Sequence, residues 1–342
     1  MVREGTVSML ADADLVEVIT EIAERFGVGD SLRGLEPSRT WESRTSILYK
    51  LASRDDPSGI VLKVGKEWTV EKAHAVYNDL CGLESLWGSD ERLRINVPRV
   101  LGWHETPPSV CTSYIDGEDL SQALSRRDGY LSPEVEDAIA QCGFALGVFH
   151  RSEIIDLSAP DSPCDEEEIR RRLKRMARFF LVHSVPIRAV DLGGVVSRRY
   201  GDFAPYNVRL TADGSVRVLD QMSSRSFAPV HRDVSYFLHR IGLRIGRYEP
   251  GKPAELAAAQ LHLEAVFLTA YAKTGPRALD SPEDQALIAL YRAYKTMRTA
   301  RKRFRERQFR GLPKLLFLVS RWRRRAMKLP SSDSSKREPG SP

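Results

Sequence analysis

Gly201-Asp202-Phe203-Ala204-Pro205-Tyr206-Asn207, followed across an Asp213-Gly214 turn by Val218-Leu219-Asp220, sets three oxygen-bearing side chains at fixed spacings in a 342-residue chain. The amide lies five residues after the first acid, and the second acid lies 13 residues after the amide. An Asn carbonyl and an Asp carboxylate are hard oxygen donors of the kind Mg²⁺ takes. The other carboxylate, Asp202, can orient an attacking hydroxyl and accept its proton. Where a phosphoryl group is moved, the protein has little covalent work to do. Alignment of the reacting oxygens and neutralisation of phosphate charge carry the reaction. Residues 206–220, YNVRLTADGSVRVLD, alternate about the Asp-Gly turn and read as a hairpin.

Working outward, the chain before this stretch changes character once. Leu15, Val18, Ile19, Ile22 and Phe26 recur at helical spacing and predict a helix over 12–26, ended by Gly27. SRTWESRTSILYKLA (38–52) and GIVLKVG (59–65) predict two strands joined by the polar turn RDDPSG. Val76, Leu80, Leu83 and Leu86 return to a helical period over 69–87, and VPRVLGWHE and SVCTSYIDG predict two more short strands. Beyond Gly117 the pattern is mostly helical, with helices expected at 133–151, 165–183, 231–245, 253–273 and 282–310. No internal repeat is visible.

Hydrophobic residues make up 42% and charged residues 29%, which disfavours disorder over most of the chain and leaves a soluble protein with a sizeable core. The four cysteines form no C-x-x-C pair, so a reducing cytoplasm is expected and zinc is not. No apolar run approaches the roughly 18 residues of a membrane span. The N-terminus carries acids and lacks a secretory h-region. The net charge of +6 hides an asymmetry, because residues 292–330 hold 15 Lys/Arg against one acid, Glu306.

The set at 201–220 resembles the aminoglycoside phosphotransferase and choline kinase branch of the protein-kinase-like fold. There the catalytic loop commonly reads H-G-D-x-x-x-x-N and a later strand ends in I-D. The resemblance spans about residues 38–300. It implies an α+β, two-lobed fold with a small antiparallel β-sheet lobe carrying one main helix and a larger, mostly helical lobe. The organisation expected from it is an N-terminal helical extension (1–37), a nucleotide-binding lobe (38–116), a catalytic and acceptor-binding lobe (117–300), a basic amphipathic segment (301–330) and a disordered tail (331–342). Carried over by position, Asp202 is the catalytic base, Asn207 and Asp220 are the Mg²⁺ ligands, and ATP or GTP is the donor. The acceptor is a small-molecule hydroxyl: an aminoglycoside, an amino alcohol, or a sugar or glycan.

The same resemblance assigns the first lobe. Lys63 stands inside the apolar strand Ile60-Val61-Leu62-Lys63-Val64, where an unpaired ammonium is costly. The resemblance supplies the nucleotide's α/β phosphates and an acid on the next helix as its partners. Asp79 is the first choice for that acid, since Leu83 and Leu86 follow it at i+4 and i+7; Glu71 and Glu84 are rivals. The plain alternative for Lys63 is an edge-strand lysine reaching to solvent. Backbone groups of Ser113, Tyr114 and Ile115 would pair with adenine in a hinge that ends at Gly117. Where protein kinases have a glycine-rich loop, this chain has Trp41-Glu42-Ser43-Arg44-Thr45-Ser46, so Ser43 and Thr45 are the expected phosphate contacts.

Three features depart from the pattern: Tyr200 in place of His, Gln221-Met222 after Asp220, and the absent glycine loop. They motivate an alternative reading as a nucleotide-binding pseudokinase scaffold. His231-Arg232-Asp233 resembles the H-R-D of protein kinases, but Leu238 stands where a metal ligand would be needed, so Asp233 is read as the acid that starts a helix. Asp165, Glu166, Glu167 and Glu168 read either as a site for a cationic acceptor or as a helix N-terminus. The basic segment 301–328, with Phe304, Leu315, Phe317 and Trp322, has three readings: an anionic membrane surface, a helix packed on the second lobe, and, least favoured, nucleic acid or an acidic partner. No obligate protein partner is expected. The expected location is cytoplasmic, and peripheral to the membrane under the first of those three readings.

Overall fold

A computed structural model describes residues 10, 12–32, 35–43, 45–53, 59–91, 93–126, 129–159, 161–179, 192–219, 226–245, 253–306, 319–320 and 322. The chain forms two compact units. The first comprises Met1–Leu120 and Tyr206–Ser223, and the second Ser121–Pro205 and Ser224–Pro342.

The first unit opens with α1 (Asp12–Phe26) and the short α2 (Gly29–Leu32). Strands β1 (Glu36–Glu42), β2 (Ser46–Ala52) and β3 (Ile60–Gly65) follow, then α3 (Val70–Gly88), β4 (Ile95–Asn96), β5 (Val100–Glu105), β6 (Pro108–Ser113) and β7 (Glu118–Asp119). A five-stranded antiparallel sheet runs β1-β2-β3-β6-β5. Residues 38–52, expected as one strand, are thus two. Ser43 Oγ accepts the Ser46 N–H at 3.0 Å and the Thr45 N–H at 3.3 Å, and this side-chain turn folds the segment back on itself without Gly or Pro.

α1 is not a separate extension. Its Leu15, Val18, Ile19 and Ile22 pack with Ile47, Tyr49, Leu51, Leu62 and Val64 in one buried core. The helix lies close to β5 at Gly102, where a Cβ would stand 2.5 Å from a Phe26 ring atom. α3 starts at Thr69, whose hydroxyl accepts the Lys72 N–H, and it packs on β5 and β6.

The second unit holds α4 (Leu120–Ala123), which begins at the boundary, α5 (Pro133–Ser152), α6 (Glu166–Phe179) and β8 (Val196–Arg198). A 3₁₀ turn at Pro205–Asn207 then leads back into the first unit as β9 (Val208–Leu210) and β10 (Val216–Val218). There β4-β10-β9-β7 form a second small sheet, so the hairpin expected within the helical lobe belongs to the β unit. The chain ends in the helical unit with β11 (Phe227–Pro229), α7 (His231–Arg244), α8 (Pro253–Thr274) and α9 (Pro282–Arg305). Ser132 and Ser281 cap α5 and α9, each followed by proline at the first helical position. α5 and α8 touch closely through Gly143 and Gly147. A Cβ at Gly143 would lie 2.4 Å from the Phe267 carbonyl oxygen.

The fold is therefore the expected α+β one, a small antiparallel-sheet unit and a larger, mostly helical unit. The expected turn RDDPSG lies mostly, and the tail 331–342 wholly, outside the described residues.

Candidate active site

In the helical unit, the loop at 199–204 is pinned by its neighbours. Tyr200 is fully buried, with its ring edge-on to Phe149 at 5.3 Å and to Phe203 at 4.9 Å. Phe203 continues through Phe237 to Phe267, so α5, the loop, α7 and α8 share one aromatic stack. Such contacts fix a loop by burial and ring geometry together. The Tyr200 N–H donates to Asp233 Oδ2 at 2.7 Å, and His150 Nε2 lies 3.7 Å from the same oxygen. The contacts of Asp233 with His150, Arg199 and the Tyr200 amide outweigh burial and hold its carboxyl below the usual range. Asp233 sits in the first turn of α7, as expected, but its carboxylate holds the loop instead of capping its own helix. His231, the other half of the H-R-D look-alike, bonds Asp284 Oδ1 at 2.7 Å and ties α7 to the start of α9.

Asp202 is half-buried, and its Oδ1 accepts the Tyr236 hydroxyl at 2.6 Å. Tyr236 in turn accepts from Arg240 Nη2 at 2.8 Å. Sequence reasoning missed both residues. Their signal is the polar spacing 233, 236, 240 on a helix whose other face is Val234, Phe237, Leu238 and Ile241, all buried.

In the sheet unit, β9 and β10 pair with Val218 opposite Val208, and the Leu219 N–H donates to the Asn207 carbonyl at 2.8 Å. Asn207 and the residue before Asp220 are thereby neighbours; Asp220 itself lies outside the described residues, as do Gln221 and Met222. Lys63 lies half-buried on β3, paired with Val110 of β6, on the face opposite Leu62 and Val64. Its Nζ is 5.6 Å from the Trp68 ring, which folds back over Gly65 so closely that a Cβ there would be 1.8 Å from it.

On α3, Asp79 is half-buried. Glu71 is exposed and its carboxylate is held by Thr69, which lowers its pKa, while Glu84 accepts the Val100 N–H at 3.4 Å. At the expected hinge, the Ser113 N–H goes to Arg99 O at 2.9 Å and the Tyr114 N–H to Gly59 O at 3.1 Å. Adenine docking there would use the carbonyls and the Ile115 N–H. Ser43 Oγ is committed to its own turn, while Thr45 is exposed beside it. Among the described residues, no group of three His, Cys, Asp or Glu side chains could hold a metal ion. A pair of hard oxygen donors from Asn207 and Asp220 is the donor set that fits Mg²⁺.

No protein-family model and no curated protein matches the chain. Among solved structures, an amicoumacin kinase in complex with AMP-PNP, Ca²⁺ and Ami is similar with a TM-score of 0.52 at 11% identity, over 91% of this chain and 95% of that one. A choline kinase from Cryptosporidium parvum Iowa II is similar with a TM-score of 0.50 at 11% identity, over 92% of this chain and 96% of that one. A Plasmodium vivax ethanolamine kinase gives a TM-score of 0.50 at 11% identity, over 96% and 92%. At these identities the likeness concerns the fold, which the sequence resemblance also implied. The chain has the protein-kinase-like fold that these amicoumacin, choline and ethanolamine kinases share.

Proposed function

We propose that this chain is a small-molecule kinase that transfers the γ-phosphoryl of ATP or GTP to a substrate hydroxyl. The reading is supported by the β9–β10 register, which sets Asn207 beside Leu219, the residue before Asp220, in a hairpin of the fold found in such kinases. In this reading Asp202 orients the acceptor hydroxyl and takes its proton as the acceptor oxygen bonds to the γ-phosphorus and the nucleoside diphosphate leaves. Tyr236 holds one oxygen of that carboxylate in place. Asn207 and Asp220 hold Mg²⁺, which supplies neutralisation of phosphate charge when bound. Lys63, with Asp79 as its acid, serves the α/β phosphates; Ser113 to Ile115 serve the base, and Thr45 together with the Ser43 turn lies nearest in role to a phosphate loop. The nucleotide analogue and divalent ion bound to the amicoumacin kinase support a donor of this class.

Tyr200, which motivated the scaffold reading, holds the loop through its backbone N–H and its buried ring, and a tyrosine fills both roles. The test is thermal denaturation of the full chain with ATP or GTP, with and without Mg²⁺, beside Asp220→Asn. A ligand that binds only the native state raises its stability by mass action. A Mg²⁺-dependent rise that the variant loses is expected, followed by nucleoside diphosphate release with a hydroxyl acceptor that Asp202→Asn slows by roughly 10²–10⁴-fold. No rise at millimolar nucleotide in a folded sample would overturn the reading.

A further inference from the structure

The acids once weighed as a site for a cationic acceptor are consumed by their own helix. Asp165 Oδ1 accepts the Glu167 N–H at 2.9 Å, Glu166 bonds Arg170 at 2.7 Å, and Glu168 pairs with Arg172. The side chains around Asp202 in this unit carry the opposite sign. Arg232, Tyr236 and Arg240 recur every four residues along one face of α7, and Tyr236 bonds Asp202. Arg240 lies with its guanidinium carbon 4.9 Å from the Tyr236 ring, and Lys295 of α9 reaches the same ring at 4.2 Å.

Arg199, three residues before Asp202, is half-buried and fixed by its Nη1 to Ser226 Oγ at 2.9 Å. Burial is the largest influence on both Lys295 and Arg199; Arg232, Arg199 and Arg298 also repel the proton on Lys295, and Arg232 that on Arg199, with Asp233 offsetting part of it in each case. The two acids in this neighbourhood are engaged, Asp233 by the Tyr200 amide and Asp202 by Tyr236. Neither Arg232 nor Lys295 forms an ion pair among the described residues. Half-buried like charges held together lower stability, and they persist where a ligand supplies the missing counter-charge.

We propose that the Arg232–Tyr236–Arg240 face of α7, with Lys295, binds a phosphate or carboxylate carried by the acceptor. The substrate is then a phosphorylated or carboxylated hydroxy compound, not an amine-bearing one such as choline or an aminoglycoside. This rests on the kinase reading above. The nucleotide's own phosphates share the chemistry, so the test has separate arms.

In the first arm, melting of the full chain is followed with inorganic phosphate, glycerol 3-phosphate or choline at matched ionic strength. The two phosphates at about 100 times Kd should raise the midpoint by roughly 2–4 °C and choline should not. Arg232→Gln and Lys295→Gln should lose that rise while the ligand-free midpoint stays level or climbs, because a repelling charge has gone. In the second arm, glucosamine is compared with glucose 6-phosphate, and glycerol with glycerate, as acceptors. The anionic member should have at least about tenfold higher kcat/KM. The variants should narrow that ratio with the nucleotide KM unchanged.

Preference for the neutral or amine-bearing member, a rise in nucleotide KM equal to the loss on the acceptor, or a phosphate shift retained in both variants would each overturn the proposal. A phosphate shift lost in the variants without turnover of any acceptor would keep the anion site and remove the kinase reading. Turnover with no phosphate shift would do the reverse.

Discussion

At the scale of single residues, the proposed function makes Tyr236 a positioning residue, whose effect should separate from stability. Tyr236→Phe removes one hydroxyl donor from Asp202 while leaving the ring under Lys295 and Arg240. The expected cost in stability is about 1 kcal/mol or less. The expected effect on turnover is a fall in kcat with the nucleotide KM unchanged, whereas a merely structural role would move both with the melting point. Asp202→Asn should reduce kcat by roughly 10²–10⁴-fold and leave nucleotide-induced stabilisation intact.

Lys295 gives a second, pH-dependent handle. Burial first, then Arg232, Arg199 and Arg298 against the partial help of Asp233, bring its pKa from the ordinary 10.5 to about 8, in a setting completed by the Tyr236 ring. Between those two values the unfolded chain binds a proton that the native chain does not, so the free energy of unfolding rises with pH in that window. Denaturant titrations at a series of pH values from 7.5 to 10.5 should show a steeper rise for the wild type than for Lys295→Met. Equal slopes would remove the like-charge cluster as the cause.

At the scale of elements, the apolar periods placed most helices well. α1 ends at Gly27, which takes φ of 66°, and α5, α7, α8 and α9 start within a residue of their expected positions. Local signals sufficed because caps and periods are local physics. What escaped was long-range or unusual. The β1–β2 split depends on a serine side-chain turn, the hairpin's membership of the sheet unit depends on β4 and β7, and the Asp202 support comes from a helix 34 residues away.

Two element contacts invite measurement. A Cβ at Gly147 of α5 would stand 2.3 Å from Thr274 Oγ1 and 2.8 Å from the Gly275 backbone nitrogen. Gly147→Ala should therefore force α5 and α8 apart and cost about 1–3 kcal/mol, although alanine is the better helix former. Asp284 joins three neighbours, with His231 Nε2 at 2.7 Å, Arg277 Nη2 at 2.8 Å and Ser281 Oγ at 2.8 Å. Asp284→Ala strands the buried His231 and removes one partner of Arg277, and about 3 kcal/mol of destabilisation is expected in chemical denaturation.

At the scale of the whole molecule, the basic C-terminal segment was the feature the sequence left most open, between a membrane surface and packing on the helical unit. Among the described residues no helix is long and apolar enough to cross a membrane. Val319 and Trp322 are buried in the helical unit's core with Leu173, Leu287 and Leu290. Trp322 also lies over Arg292, whose guanidinium carbon is 3.5 Å from the ring. Arg292 itself is buried and makes two hydrogen bonds to Glu264, at 2.8 and 2.6 Å. The indole therefore shields an ion pair that water would otherwise reach, and such a pair depends on its surroundings for any net benefit. Two of the apolar side chains that a membrane helix would have used are thus already engaged by the protein. Trp322→Ala should open a cavity above Arg292 and destabilise the helical unit by about 3–5 kcal/mol. Binding to vesicles containing anionic lipid, measured well below the variant's melting point, should match that of the wild type. A loss of vesicle binding with no loss of stability would return the segment to the membrane surface. A deletion from residue 307 onward should likewise lower the melting point, so a truncated chain tests packing before it tests any lipid.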